Sequence, residues 1–354
     1  MGKVNKSFWK EKKVFLTGHT GFKGSWLAIW LQSMGAIVKG YALDPPTKPA
    51  LFFEANVSEN MESIIGDIRD FKLLSKEMLA FNPDVLIHMA AQPLVRHSYL
   101  DPVETYSTNV MGTVNVLEAA RSCKNLKSIV SVTTDKCYEN KEWNWGYREN
   151  EPMGGYDPYS SSKGCAELVT SAYRRSFFNN SETAFVASAR AGNVIGGGDW
   201  ATDRLIPDIL RAFEKQKPVV IRNPLSTRPW QHVLEPLSGY LVLAEKLYTN
   251  GKDFAEAWNF GPKDDDVKPV NWILNKMVSN WGKGASWELD NNDNPHEAGF
   301  LKLDCSKSAS QLNWFPKWNL ETTLGLIVEW HQDWLEGKPV KECCLNEIDN
   351  YINQ

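Results

Sequence analysis

Three features of the sequence predict a doubly wound α/β fold, a parallel sheet covered by helices on both faces, followed by a smaller mixed lobe. Short, almost uninterrupted apolar runs alternate with stretches of helical period through the first half of the chain. The first apolar run opens directly onto a glycine turn, Gly18-His19-Thr20-Gly21-Phe22-Lys23-Gly24. After about Asn193 the alternation stops, and glycine, proline and tryptophan break the chain into shorter elements. A chain of 354 residues has room for about two domains, and the change of texture divides it into 1–192 and 193–354, with a soft boundary.

Each element has its own signal. Val14-Phe15-Leu16 is a buried-strand run, and a helical pattern follows from Gly24 to Met34. Ala36 to Tyr41 gives the second strand and Ser63 to Ile65 a short third. Phe71 to Phe81 has helical period, Val85-Leu86-Ile87 is a strand, and Pro102 to Arg121 reads as one long helix. Ser128 to Thr133 is the fifth strand, Tyr159 to Phe178 a second long helix, and Thr183 to Ala189 a further strand. Right-handed crossovers between parallel strands make this a Rossmann-type sheet. In the second half, helices are expected over Asp203–Lys215, Leu234–Leu247, Val270–Trp281 and Thr322–Leu335. Val219-Val220-Ile221 and Ala257-Trp258-Asn259 are both candidates to return to the main sheet.

Composition narrows the function. Hydrophobic residues make up 42% and charged residues 23%, a globular balance. Lys and Arg number 39 against 43 Asp and Glu, so the basic excess of a general nucleic-acid binder is missing. No apolar run approaches the roughly 18 residues of a membrane span. The lysine-rich start has no apolar run before Val14, which argues against a secretory leader. The six cysteines form no CxxC pair and read as reduced, in the cytoplasm. His19, His88, His97, His232, His296 and His331 show no ligand spacing, so no metal is expected.

The glycine turn points to a dinucleotide. Gly18 allows the tight turn, Gly21 lets backbone approach a pyrophosphate, and Gly24 allows the helix to pack on the strand. Thr20 and Phe22 lie between them in the same cofactor-binding set. The helix N-terminus offers free N–H groups and a positive dipole end to phosphate. Asp44, 20 residues after Gly24, stands where a carboxylate accepts from an adenosine ribose and would repel the extra phosphate of NADP. NAD is therefore the expected cofactor. Asp67-Ile68, after the third strand, reads as the adenine contact, and Ala90-Ala91, after the fourth, as the small residues running beneath a dinucleotide.

Tyr159 and Lys163 stand four apart at the start of a helix and share a face. A tyrosine has a pKa near 10; a neighbouring positive charge favours the phenolate and makes it a usable base. Thr134, closing the fifth strand, is placed to hydrogen-bond the hydroxyl that Tyr159 deprotonates, and Asp135-Lys136 supplies an acid and a base at the C-terminal edge of the sheet.

These motifs resemble the extended short-chain dehydrogenase/reductase superfamily and, within it, the sugar-nucleotide dehydratases that act on CDP-glucose. The resemblance rests on Thr17–Ser25, Thr134–Tyr138, Asp157–Cys165, Arg190–Trp200 and Arg228–Leu234. It implies a lyase that removes water across C5 and C6 of the sugar through transient C4 oxidation by NAD. Tyr159 would take the 4-hydroxyl proton, Asp135 would protonate the departing 6-hydroxyl, and Lys136 would stand where related enzymes carry the C5 base. A lysine base must be neutral, which requires burial or nearby cations. Residues 1–192 would then hold NAD and 193–354 the sugar nucleotide, through Asn193, Arg204, Arg222, Arg228 and His232. The resemblance also implies a cytoplasmic homodimer joined by a four-helix bundle of Pro102–Arg121 and Tyr159–Phe178, and deoxysugar biosynthesis for lipopolysaccharide O-antigen as its setting. A 4-epimerase would use the same Tyr159 and Lys163 with no need of Asp135-Lys136, and a dinucleotide sensor would need none of them.

Overall fold

The computed structural model describes residues 2–180, 182–282, 284–290 and 300–354. Seven parallel strands form the main sheet: β1 (Lys13–Thr17), β2 (Ile37–Ala42), β3 (Glu62–Ile65), β4 (Val85–His88), β5 (Ser128–Val132), β6 (Phe185–Ala191) and β7 (Ala257–Phe260). Their spatial order is β7-β6-β5-β4-β1-β2-β3. The order reverses between β1 and β4, so their C-terminal ends open a crevice, the usual ligand position in such sheets.

Alternation along each strand builds two cores. Val14 and Leu16, Val85 and Ile87, and Val130 and Val132 enter one apolar cluster, which also holds Trp26, Trp30, Leu237 and Leu241. Phe15, Leu86 and Ile129 enter the other, with Leu74, Met78 and Val116. Successive side chains of a strand point to opposite faces, and both faces are covered, which is why these strands read as continuous apolar runs.

The first face is covered by α1 (Phe22–Ser33) and, on the opposite side, α2 (Phe71–Phe81) lies under the second face with Asp70 capping it through Leu73 N–H at 3.1 Å. The expected long helix 102–121 is broken. It runs as Pro102–Tyr106, a π-turn over Ser107–Met111, and α3 (Gly112–Ala120). A π-turn inserts a residue into the helical ladder, and here it carries Asn109. Next come α4 (Pro158–Ser176), capped by Asp157, and α5 (Leu234–Asn250), which lies on the β5 and β6 side.

Beyond β6 a third apolar cluster joins the helices Leu205–Glu214, Val270–Trp281 and Leu320–Leu335. Ala257–Phe260 does return to the main sheet, whereas Val219–Ile221 pairs in parallel with Trp287–Leu289 outside it. A C-terminal helix, Val340–Asn353, packs on α1 and buries Cys344, Ile348 and Tyr351. Its mixed composition hid it in the sequence. It explains why α1 is buried on nearly every side, an arrangement expected only of an enclosed helix.

Two enclosed histidines lie at the sheet itself, His19 after β1 and His88 at the end of β4. Burial pushes His19 down to about 4 and His88 down to about 3, from an ordinary 6.5. The unfolded chain therefore takes up protons that the folded chain refuses, so stability falls as pH drops below about 6.5 towards 4. Urea unfolding midpoints measured from pH 7.5 to 4.5 should decline across that window. His88→Gln should flatten the decline, and an unchanged slope in that variant would remove His88 from the account.

Candidate active site

The glycine turn forms as its spacing requires. Gly18 has a φ of +80°, and a Cβ there would press on the Ala90 backbone. A Cβ on Gly24 would collide with the Gly18 carbonyl oxygen, so the first turn of α1 sits directly on the loop. At Gly21 a Cβ would meet only the Gly18 oxygen at 3.5 Å; its other side is open, towards the crevice. An open backbone at a helix N-terminus fits a pyrophosphate. Thr17 anchors the neighbouring strand end, its Oγ1 accepting from the N–H groups of Met89 and Ala90 at 3.0 and 3.1 Å.

Around that turn lie the other expected cofactor residues. The Thr20 hydroxyl donates to the Leu43 carbonyl at 2.7 Å, and Phe22 reaches towards Gly196 and the second lobe. Asp44 is exposed just past β2, and Ala90 and Ala91 follow β4. Asp67 is held by a guanidinium fork from Arg69, with Nη2 to Oδ2 at 2.6 Å. Burial raises its carboxyl, but Arg69 outweighs burial and leaves it below the ordinary range. Ile68 is buried against Gly112 of α3.

Past β5 the chain makes a 3₁₀ turn, Asp135–Cys137, started by Thr134. This turn meets the first turns of α4. Thr134, Asp135, Tyr159 and Lys163 are all buried, at 7%, 1%, 9% and 7% exposure. The Tyr159 hydroxyl hydrogen-bonds Thr134, and Thr134 Oγ1 donates to Asp135 Oδ1 at 2.9 Å. Lys163 Nζ points at the Val132 carbonyl at 3.5 Å. Asp135 Oδ2 is buried without a hydrogen-bond partner among the described residues, beside Gly192, where any Cβ would strike it.

Electrostatics here departs from the expectation that Lys163 lowers Tyr159. Burial dominates and pushes the phenol up to about 12, with the Thr134 hydrogen bond opposing it. Burial also lowers Lys163 to about 8. At both groups desolvation outweighs the favourable charges and hydrogen bonds around them. Asp135 is likewise raised by burial, against the pull of Lys136, Thr134 and Arg228. A carboxyl raised in this way holds its proton more readily and suits an acid.

The second lobe contributes some of the expected residues. Asn193 follows β6, with its Nδ2 buried and unpartnered among the described residues, a donor awaiting an acceptor. Arg204 pairs with Asp199 at 3.0 Å, and its charge is felt at both Tyr159 and Lys23. Arg228 acts on Asp135. Arg222 is half-buried at the end of Val219–Ile221. His232, expected among the substrate contacts, is enclosed, edge-on to Trp26 and Trp318 and 3.2 Å from Glu347 Oε2 of the C-terminal helix. Among the described residues no group of three His, Cys, Asp or Glu side chains converges in a way that would hold a metal, and His296 lies outside them.

Four important residues escaped the sequence reading. Glu167 and Arg190 form a buried ion pair at 2.8 Å, both 4% exposed, behind the catalytic turn. Thr133 and Ser188 donate to the same carboxylate, and Arg190 Nη1 donates to Tyr138 at 2.7 Å. Tyr159, Lys163 and Glu167 are spaced four apart, so the helical face was legible further along than it was read. Asn109 on the π-turn donates to Ser162 of α4 at 2.9 Å and bonds the Gln92 backbone, tying the β4 end to the catalytic helix. The fourth is Lys23, inside the glycine motif itself.

The sheet order, the open glycine turn and the buried Thr134–Tyr159–Lys163 set define a short-chain dehydrogenase/reductase of the extended type. Residues 15–326 match the family model described as GDP-mannose 4,6 dehydratase, and the chain belongs to that family. It is 62% identical over 354 residues to the CDP-glucose 4,6-dehydratase of Salmonella typhimurium, covering 99% of both chains. It is 27% identical over 267 residues to the dTDP-D-glucose 4,6-dehydratase of Dictyostelium discoideum, covering 69% of this chain and 59% of that one. Among solved structures, the dTDP-glucose 4,6-dehydratase of Streptomyces venezuelae has the same fold, with a TM-score of 0.79 at 21% identity over 93% of this chain and 99% of that one.

Proposed function

We propose that this chain is a CDP-glucose 4,6-dehydratase, converting CDP-D-glucose to CDP-4-keto-6-deoxy-D-glucose and water with NAD as its resident cofactor. The observation that carries this reading is the 62% identity across 99% of both chains. The buried catalytic set supports the chemistry independently. Gly18, Gly21 and Gly24, with Thr20, Phe22, Ala90 and Ala91, would hold the dinucleotide, and Asp44 and Asp67-Ile68 its adenosine half. When bound, NAD supplies a hydride acceptor for C4 and returns that hydride to C6.

The protein's residues handle the protons. Tyr159 accepts the proton of the 4-hydroxyl, and Thr134 orients that hydroxyl through its own. The 4-ketone so formed acidifies the proton on C5, which Lys136 takes. Asp135, whose carboxyl is raised by burial, gives its proton to the 6-hydroxyl, which leaves as water; Lys136 then returns its proton to C5 as hydride is delivered to C6, and the proton taken up by Tyr159 makes good the one Asp135 gave. Lys163 holds the tyrosine side of the site. Asn193, Arg204, Arg222 and Arg228 would grip the substrate diphosphate, for which guanidinium forks are suited. Asp135 distinguishes this reading from a 4-epimerase, since epimerisation expels no hydroxyl.

The test is mass spectrometry of CDP-glucose after incubation with the purified protein, with dTDP-, UDP- and GDP-glucose in parallel. Loss of one water from CDP-glucose is expected. Loss from another sugar nucleotide instead would discard the base specificity, and unchanged mass with an altered sugar isomer would make the protein an epimerase.

The reading extends to setting and assembly. Among the described residues no helix is long and apolar enough to cross a membrane, and six free cysteines support a reducing, cytoplasmic compartment. The keto-deoxysugar would feed lipopolysaccharide O-antigen synthesis. A homodimer through a four-helix bundle is supported by apolar side chains left in water on 95–120 and α4: Leu100 is 83% exposed, Val103 77%, Leu168 60% and Met111 53%. Sedimentation at micromolar concentration should give twice the 40.1 kDa chain mass; a monomer would count against the bundle.

A further inference from the structure

His88 ends β4 with its ring 3% exposed, and the proton transfers proposed above give it no part. Both ring nitrogens are hydrogen-bonded, Nδ1 with Thr17 Oγ1 at 2.8 Å and Nε2 with Thr113 Oγ1 at 3.2 Å. The neighbours decide which nitrogen carries the proton. Thr17 Oγ1 already accepts from the Met89 and Ala90 N–H groups. Both its lone pairs are taken, so its own proton goes to Nδ1. The Thr113 hydroxyl donates to the Asn109 carbonyl at 2.7 Å, so its oxygen accepts from Nε2–H. The ring is therefore the neutral Nε2–H tautomer. Burial, and then the Lys163 charge, oppose its protonation.

The series continues beyond Asn109. Asn109 Nδ2 donates to Ser162 Oγ at 2.9 Å, and the Ser162 hydroxyl donates to the Tyr159 carbonyl at 2.7 Å. Thr17, Thr113, Asn109 and Ser162 are all buried. At the other end, the Ala90 backbone lies against Gly18 of the glycine turn. A buried series of hydrogen bonds thus runs from the strand ends beneath the glycine turn to the backbone of Tyr159, with His88 at its centre.

We propose that His88 is a positioning residue: its Nε2–H tautomer fixes the first turn of α4 against the ends of β1 and β4, and so sets where the Tyr159 hydroxyl stands relative to the glycine turn. His88 acts through Tyr159 and moves no proton of the reaction. A ring that accepts on one side and donates on the other gives the series a single polarity. Neither end can slip without leaving a buried hydroxyl unpaired, which is costly. The inference rests on Tyr159 as the base and on the dinucleotide reading of the crevice.

His88→Phe keeps the ring and removes both nitrogens; Thr113→Val keeps the side-chain shape and removes the next link. Each should lower kcat per folded molecule by about 10- to 100-fold, the scale of a small misplacement of reacting groups, with KM for CDP-glucose nearly unchanged. Thr113→Ser, which restores the hydroxyl, should recover most of the rate. His88→Phe/Tyr159→Phe should be no slower than Tyr159→Phe. Independently of turnover, ¹⁵N spectra of the histidine rings should contain one set, absent from His88→Phe, that stays in the Nε2–H form from pH 8 to 5. A His88 ring that titrates in that range or carries its proton on Nδ1 overturns the inference. So does Thr113→Val with wild-type kcat, or Thr113→Ser no faster than Thr113→Val. A loss of folded fraction with kcat per folded molecule unchanged makes the series structural only, and likewise overturns it. If His88→Phe does not fold, the two Thr113 variants decide. Near-normal turnover in Tyr159→Phe would overturn the reading of Tyr159 and this inference together.

Discussion

Replacing Tyr159 by phenylalanine is expected to lower turnover of CDP-glucose by about 10²–10⁴-fold, the range associated with loss of a positioned general base. The ring is 9% exposed in the first turn of α4, and phenylalanine fills the same volume. The hydroxyl, by contrast, is what meets Thr134. Only the proton acceptor is lost, so the thermal midpoint and NAD affinity should stay close to wild type. Rates are followed as loss of water from CDP-glucose. Near-normal turnover in a folded variant would end the assignment of Tyr159 as the base.

The largest stability effect is expected at Glu167. Its carboxylate neutralises Arg190 inside the protein and accepts from Thr133 and Ser188. Glu167→Leu leaves a guanidinium buried without a counter-charge, and breaking such a pair from one side costs about 3–5 kcal/mol. Chemical denaturation should show that loss. The double variant Glu167→Leu/Arg190→Met should recover much of it, because an apolar pair of similar volume is often no worse than the ions it replaces. A single-variant loss below about 1 kcal/mol, the scale of a surface ion pair, would contradict the account. The effect also reaches the active site. Thr133 ties the end of β5 and Ser188 the middle of β6 to α4, and Thr134, the cap of the 3₁₀ turn, follows Thr133 directly.

Much of this was legible along the chain because the interactions are local. The seven-stranded sheet is written in apolar runs of strand length, and the glycine turn in spacings that only one backbone path satisfies. Tyr159 and Lys163 share a helix face by period alone. Local signals failed where the partner is distant. The helix 102–121 carries a π-turn because Asn109 is held by Gln92 and Ser162. The C-terminal helix is stabilised by α1, more than 300 residues earlier, and His232 is enclosed by Trp26, Trp318 and Glu347, all distant from it along the chain.

The sequence by itself determined the fold class, the glycine turn and the shared face of Tyr159 and Lys163, since each depends on backbone geometry or on residues within a turn of one another. Tertiary structure alone decided the charge state of the site. Burial raised Tyr159 and Asp135 and lowered Lys163 and Lys23, because desolvation depends on everything packed around a group. It also decided which distant charges met, above all Glu167 with Arg190. No spacing encodes a contact made by the closing of the sheet and the docking of the second lobe.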